Sequence, residues 1–160
     1  MTSLLLKKYG DLEKVLSTST TKKPTPKKNE VLIEVKAIAL NPIDLKIAQG
    51  DLRAILPPIL EKPRLGFDIS GIIERVGNEV KHFKNGDEVY LRLPLYQGSG
   101  FSPFVIANVK HVALKPENIG FEEAASIPLV ALTSVQALSD YAKAKAGQSL
   151  LIDSGSGGVG

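Results

Sequence analysis

The sequence predicts a β-rich α+β fold: an antiparallel barrel or sandwich with short helices, then a longer helix, a buried strand and a glycine loop. Three observations carry this expectation. Short strand-like stretches recur through the first part of the chain. Fourteen glycines and ten prolines supply the turns between them. Near residue 120 the apolar period lengthens from that of a strand to that of a helix.

The clearest strand is Val31–Ala39, with Val31, Ile33, Val35, Ala37 and Ala39 on one face and Glu34 and Lys36 on the other. Leu32, Ile38 and Leu40 make its second face partly apolar. Further strands are expected at Leu4–Lys8, Lys14–Ser19, Ile69–Val76, Glu88–Leu93, Phe104–Asn108 and Val112–Lys115. Tyr9-Gly10-Asp11, Gly77-Asn78, Asn85-Gly86-Asp87 and Gly98-Ser99-Gly100 have the chemistry of turns. Phe121–Ala125 reads as a short helix ended by Pro128. From Leu129 to Ala146 the residues Leu132, Val135, Leu138 and Tyr141/Ala142 recur at helical spacing, with Gly147 placed as a C-terminal cap. Ser149–Ile152 then reads as a short buried strand. There is no internal repeat.

Composition narrows the function classes. The 160 residues hold 20 Lys and Arg against 17 Asp and Glu, a net charge of +3. Nucleic-acid binding needs a concentrated basic stripe. The densest one, Lys22, Lys23, Lys27 and Lys28, is broken by Pro24 and Pro26 and reads as a solvated loop. With no cysteine, disulfides, thiol catalysis and Cys-based metal sites are excluded. No apolar run approaches the roughly 20 residues that span a bilayer. The N-terminus is too short in apolar residues for a secretory signal, and Asp11 and Glu13 argue against a mitochondrial leader. These features fit a cytoplasmic protein, with a mitochondrial one still open.

The chain closes on Ser154-Gly155-Ser156-Gly157-Gly158-Val159-Gly160. Gly155, Gly157 and Gly160 satisfy G-x-G-x-x-G after an apolar stretch, half the context of a dinucleotide site. In such a loop the first glycine permits a tight turn, the second admits the pyrophosphate to the backbone, and the third allows close helix–strand packing. The helix that would aim its N–H groups at phosphate lies beyond these residues, as does the residue about 20 positions on that selects NAD or NADP. Without Gly-Lys-Ser/Thr, a P-loop is unsupported.

The landmarks together resemble the medium-chain dehydrogenase/reductase superfamily, in its zinc-free quinone oxidoreductase (zeta-crystallin-like) branch. Tyr9-Gly10 and Pro26…Glu30-Val31-Leu32-Ile33 look like its opening strands. Asn41-Pro42-Ile43-Asp44…Gly50 resembles N-P-x-D…G, and Gly66-Phe67-Asp68-Ile69-Ser70-Gly71-Ile72-Ile73 resembles G-x-D-x-x-G-x-V. Phe83…Gly86-Asp87-Glu88-Val89 resembles F-x-x-G-D-x-V, Ala124–Pro128 with Leu132-Thr133-Ser134 is similar to A-A-x-x-P…L-T-A with Ser134 in place of the alanine, and Ser156–Gly160 resembles the G-G-V-G loop. The resemblance implies a GroES-like, partly open barrel over 1–127. It implies a connecting helix and the start of a Rossmann domain over 128–160, making the chain the N-terminal part of an oxidoreductase.

The zinc alcohol dehydrogenases of that superfamily hold catalytic zinc with a Cys and a His from this half. The corresponding residues are Asn41 and Phe67, so the resemblance implies no metal. It implies NADPH, with NADH open, and a quinone or α,β-unsaturated carbonyl as substrate. Such acceptors spread incoming negative charge over themselves and need no Lewis acid, only polar donors near the developing oxyanion. On this map the catalytic residues are Asn41, beside nicotinamide and substrate, and Asp44, which orders that segment. Thr133 approaches the nicotinamide end, and Gly155, Ser156, Gly157, Gly158, Val159 and Gly160 face the phosphates. Lys46 and Tyr96 border the substrate pocket, and a homo-oligomeric parent is implied.

Read as residues alone, these positions have blander alternatives. Asn41 could cap a short helix over Pro42–Ala48, Asp44 could belong to the same turn, and Thr133 could bond to its own backbone. Asp68 could be a buried structural carboxylate, Lys46 a solvated lysine and Tyr96 a loop-packing residue. His82 and His111 have no evident acid or metal partner. For the chain as a whole, the alternative class is a catalytically silent binding or scaffold module of the same fold.

Overall fold

The computed structural model describes residues 1–54, 64–97 and 101–160, so the expected turn at Gly98-Ser99-Gly100 lies outside the described residues. Two antiparallel strands, β1 (Thr2–Leu6) and β2 (Leu16–Thr20), form a hairpin. The main sheet has five strands: β3 (Glu30–Ala39), β4 (Asp68–Val76), β5 (Glu88–Arg92), β6 (Phe104–Asn108) and β7 (Val112–Leu114). Their order is β6-β3-β4-β5-β7, and every neighbouring pair is antiparallel. The helix α1 (Leu12–Val15) precedes β2, α2 (Pro42–Gln49) follows β3, and α3 (Phe121–Ser126) and α4 (Pro128–Val135) follow the sheet.

The strands form where the sequence alternates, and they bury one continuous core. Val31, Ile33, Phe67, Ile69, Ile73, Val89, Leu91, Leu93 and Val105 are all nearly inaccessible and cluster with Ile47 and Ala48 of α2. Burying a side chain of this kind contributes roughly 1.5–3 kcal/mol. In β3 the simple alternation fails: Val31, Leu32 and Ile33 are consecutive and all buried. The ladder with β4 slips between Leu32 and Ile33 and again between Val35 and Ala37, and such bulges rotate neighbouring side chains toward the same side. Gly71 faces the second bulge. A Cβ there would stand 2.1 Å from the carbonyl oxygen of Glu34, so the strands approach this closely only at glycine.

Three expected elements are corrected. The expected strand Lys14–Ser19 begins instead as a helical turn, because the Asp11 carboxylate accepts from the Glu13 N–H and starts α1. The expected helix Leu129–Ala146 is shorter. The regular helix α4 ends at Val135 and widens into a π-type segment, Gln136–Tyr141, whose outer bonds include Ala142 N–H to the Ala137 carbonyl. Lys143 then takes a left-handed φ of 49°. Gly147 also has a positive φ, 87°, but turns the chain after the helix has already ended. The expected buried strand Ser149–Ile152 is neither strand nor buried: Leu151 is 100% exposed, and no described strand pairs with it. An apolar run of this kind needs neighbouring strands to satisfy its backbone, and among the described residues none pairs with it. Among the described residues no helix is long and apolar enough to cross a membrane.

Candidate functional site

The site grows from the end of β3. Pro42 at the first turn of α2 ends the strand, since its fixed φ suits a helix start. Asn41 occupies the cap position, half-buried, with extended backbone. The expected capping is done by another residue than the sequence suggests. The Asp44 carboxylate Oδ2 accepts from the Asn41 backbone N–H at 3.0 Å, while its Oδ1 accepts from the Gly66 N–H at 2.7 Å. Asp44 is therefore buried and bonded at both oxygens, pinning α2 to the turn before β4. Gly66 has φ +76°, which lets its N–H face Asp44. Burial pushes the Asp44 carboxyl up from its ordinary value, an effect opposed by those two hydrogen bonds and by Arg92.

The Asn41 side chain is left for a different partner. Its Nδ2 donates to Asp68 Oδ2 at 3.1 Å, and the same oxygen accepts from the backbone N–H of Leu129 at 2.9 Å. Asp68 is fully inaccessible, and its Oδ1 lies 3.7 Å from Arg92 Nε. That exceeds a hydrogen bond, and neither atom has a hydrogen-bond partner. Burial raises the Asp68 carboxyl as well, against the stabilising N–H groups of Leu129 and Asn41 and the charge of Arg92. The sequence reading of Asp68 as a buried carboxylate describes its setting; its bonds to Asn41 and Leu129 were not legible, because they join residues 27 and 61 positions apart.

Helix α4 carries the expected cofactor-side residues. The Thr133 hydroxyl donates to the Leu129 carbonyl at 2.7 Å, its own helix backbone, and the residue is exposed. The glycine loop rests on the same helix. The Ser134 hydroxyl donates to the Val159 carbonyl at 3.0 Å, and a Cβ at Gly158 would lie 3.0 Å from Val130 Cγ1. Gly157 N–H closes a turn onto the Ser154 carbonyl at 2.8 Å, and Ser154 takes the left-handed conformation, φ 56°. Gly155, Ser156, Gly157, Gly158, Val159 and Gly160 are all exposed. The loop thus meets α4 through Val130 and Ser134, while Thr133 makes no bond to it, and the strand expected before the loop is not formed.

The remaining expectations lie apart. Lys46 is exposed on the last turn of α2, and Tyr96 stands in the turn after β5 with 68% of its surface exposed. Phe67, which the resemblance sets against a histidine of the zinc alcohol dehydrogenases, is a core residue 1% exposed. His82 and His111 are exposed. His111, Lys110 and Arg92 border a groove of about 440 Å³ between β5, β7 and the apolar side of α4. Among the described residues no three of His, Asp or Glu gather as a metal cage.

A five-stranded antiparallel sheet, a capped helix after its longest strand and a buried carboxylate reaching α4 define a β-rich domain with short helices closing one side. Residues 27–128 match the family described as the Alcohol dehydrogenase GroES-like domain, and the chain belongs to that family. It is 38% identical over 159 residues to an NADPH-dependent alkenal/one oxidoreductase, chloroplastic, from Arabidopsis thaliana, covering 95% of this chain and 40% of that protein. Against a quinone oxidoreductase of Sus scrofa it is 36% identical over 162 residues, covering 100% of this chain and 47% of that one. The crystal structure of Escherichia coli quinone oxidoreductase complexed with NADPH superposes with a TM-score of 0.75 at 33% identity, over 86% of this chain and 40% of that one. The chain thus spans less than half the length of these relatives.

Proposed function

We propose that this chain is the substrate-side part of an NADPH-dependent oxidoreductase that reduces quinones or α,β-unsaturated carbonyls without a metal. The observation that carries the reading is the tie between Asn41, Asp68 and Leu129, which joins the barrel to the helix bearing Thr133 and the glycine loop. The names of the relatives above support the substrate class and the cofactor. We divide the chain into a barrel domain, 1–127, and the opening of a nucleotide-binding domain, 128–160. NADPH, when bound, supplies the reducing equivalent.

Within this reading Asn41 holds its amide at the mouth of the cleft, where a remaining N–H can donate to the oxygen that gains charge. Asp44 keeps the Asn41 backbone in place through its bond to that N–H. The glycine loop presents bare backbone to the phosphates, Thr133 lies toward the nicotinamide, and Lys46 and Tyr96 border the entrance. The sequence-based expectation of a cytoplasmic homo-oligomer is part of this proposal.

The test is cofactor binding and turnover by that protein. Fluorescence titration should show saturable NADPH binding, and absorbance should show NADPH oxidation with a small quinone or enone. Asn41→Ala should lower kcat about 100-fold, the size expected for loss of an oxyanion donor. The 160 residues alone should show no saturation at micromolar NADPH. Failure of the longer protein to bind NADPH overturns the reading.

A further inference from the structure

A buried carboxylate is costly unless its oxygens find partners, and Asp68 spends its partners in an unusual place. Its neighbours Phe67 and Ile69 are core apolar residues. Two strand positions on, the Ser70 hydroxyl donates to the Phe121 carbonyl at 2.5 Å and ties the same strand to α3, so pinning a helix to β4 does not call for a charge. Asp68 does something a hydroxyl does less well: one oxygen, Oδ2, accepts two N–H groups from different elements, Asn41 Nδ2 and the Leu129 backbone. An ionised carboxylate only accepts. It therefore selects the NH₂ end of the Asn41 amide and turns the carbonyl oxygen and the second N–H elsewhere. Leu129 lies one turn before Thr133, on the helix that Gly158 and Val159 contact through Val130 and Ser134.

We propose that Asp68 is a positioning residue: through one carboxylate oxygen it sets both the flip of the Asn41 amide and the seat of α4, and so the separation of the substrate and cofactor sides. This rests on the reading of Asn41 and Thr133 given above. Arg92, 3.7 Å from the other oxygen, holds charge beside the carboxylate without competing for Oδ2.

The experiment compares Asp68→Ala, Asp68→Asn and Ser70→Ala in the protein that carries these residues. Steady-state enone reduction, NADPH titration and thermal unfolding are measured for each. A misplaced cleft should lower kcat at least about 10-fold in Asp68→Ala while the NADPH Kd moves less than about 3-fold. Asp68→Asn keeps the size and one acceptor but brings a donor toward Asn41 and Arg92. It should fall between, about 3- to 10-fold below wild type, and it carries the test if Asp68→Ala does not fold. Ser70→Ala should lose thermal stability yet keep kcat within about 2-fold. Wild-type kcat in both Asp68 variants overturns the proposal.

If the unaltered protein neither binds NADPH nor reduces an enone, the functional reading fails. The positioning role is then decided by NMR on the same variants. Shifted Asn41 side-chain amide resonances and faster exchange of the Leu129 amide support it, and unchanged spectra overturn it.

Discussion

The barrel and the tail after Pro128 obey different rules, although both are rich in apolar residues. In the barrel, apolar positions are covered: Val31, Ile33, Ile69, Val89 and Leu93 are each 0% exposed. In the tail, Val135, Tyr141, Leu151 and Ile152 are exposed, and every residue from Val135 to Gly160 stands in solvent. The barrel strands find their partners within the chain, through ladders such as Ile33 with Ile73 and Ile69 with Leu91. Ser149–Ile152 has the composition of a buried strand, and among the described residues no strand pairs with it. Apolar composition becomes structure only when a complementary surface is at hand.

The sharpest way to break this contrast is truncation. Phe67→Ala should destabilise the domain by about 3–5 kcal/mol in urea unfolding, since a closely packed core relaxes poorly around a cavity. Leu151→Ala should change it by less than about 0.5 kcal/mol. Equal effects would mean that the tail is packed in solution.

A second comparison sets one glycine against another. Gly71→Ala should cost about 1–3 kcal/mol, because its Cβ would strike backbone 2.1 Å away that cannot rotate aside. Gly158→Ala meets only the end of the Val130 side chain, at 3.0 Å, and should cost less than about 0.5 kcal/mol. Thermal unfolding of the two variants decides whether the tail glycines are structural or are free to face a ligand.

The smallest expected effect is a pH dependence confined to the barrel. Burial raises the Asp68 carboxyl above its ordinary value of 3.8. A group raised in the folded state binds its proton more tightly there than in the unfolded chain. Its contribution is complete below pH 3.8 and is lost as pH rises through the folded value. The stability of wild type relative to Asp68→Asn should therefore be greatest in acid and decline above pH 3.8, read from urea titrations at several pH values. A difference independent of pH would mean that Asp68 titrates as an exposed carboxyl does.

Much of the barrel was legible because its signals are local. The stretch Val31–Ala39 forms the longest strand, extended by one residue at Glu30, and Phe104–Asn108 matches its strand to the residue. The short helix after Asn41 was legible from Pro42. The bulges of β3 were not, since they depend on the register with β4. At the candidate site, Asn41 and Asp44 were singled out by the family resemblance, and read as residues alone they were a cap and a turn; the division of labour between them was hidden. The carboxylate caps the helix, and the amide reaches across to Asp68. Thr133 illustrates the opposite limit, for its hydroxyl bonds to its own helix as any threonine could.

By itself the sequence determined the β-rich class, the order of strands and turns, and the family to which the chain belongs. Alternation, turn residues and motif spacing act over a few neighbours and survive in one dimension. Only the tertiary structure decided that β3 carries bulges, that Asp68 joins Asn41 to Leu129, and that the apolar tail remains uncovered. Each of these depends on which distant groups meet, and a hydrogen bond or a buried face exists only once its partner is in place.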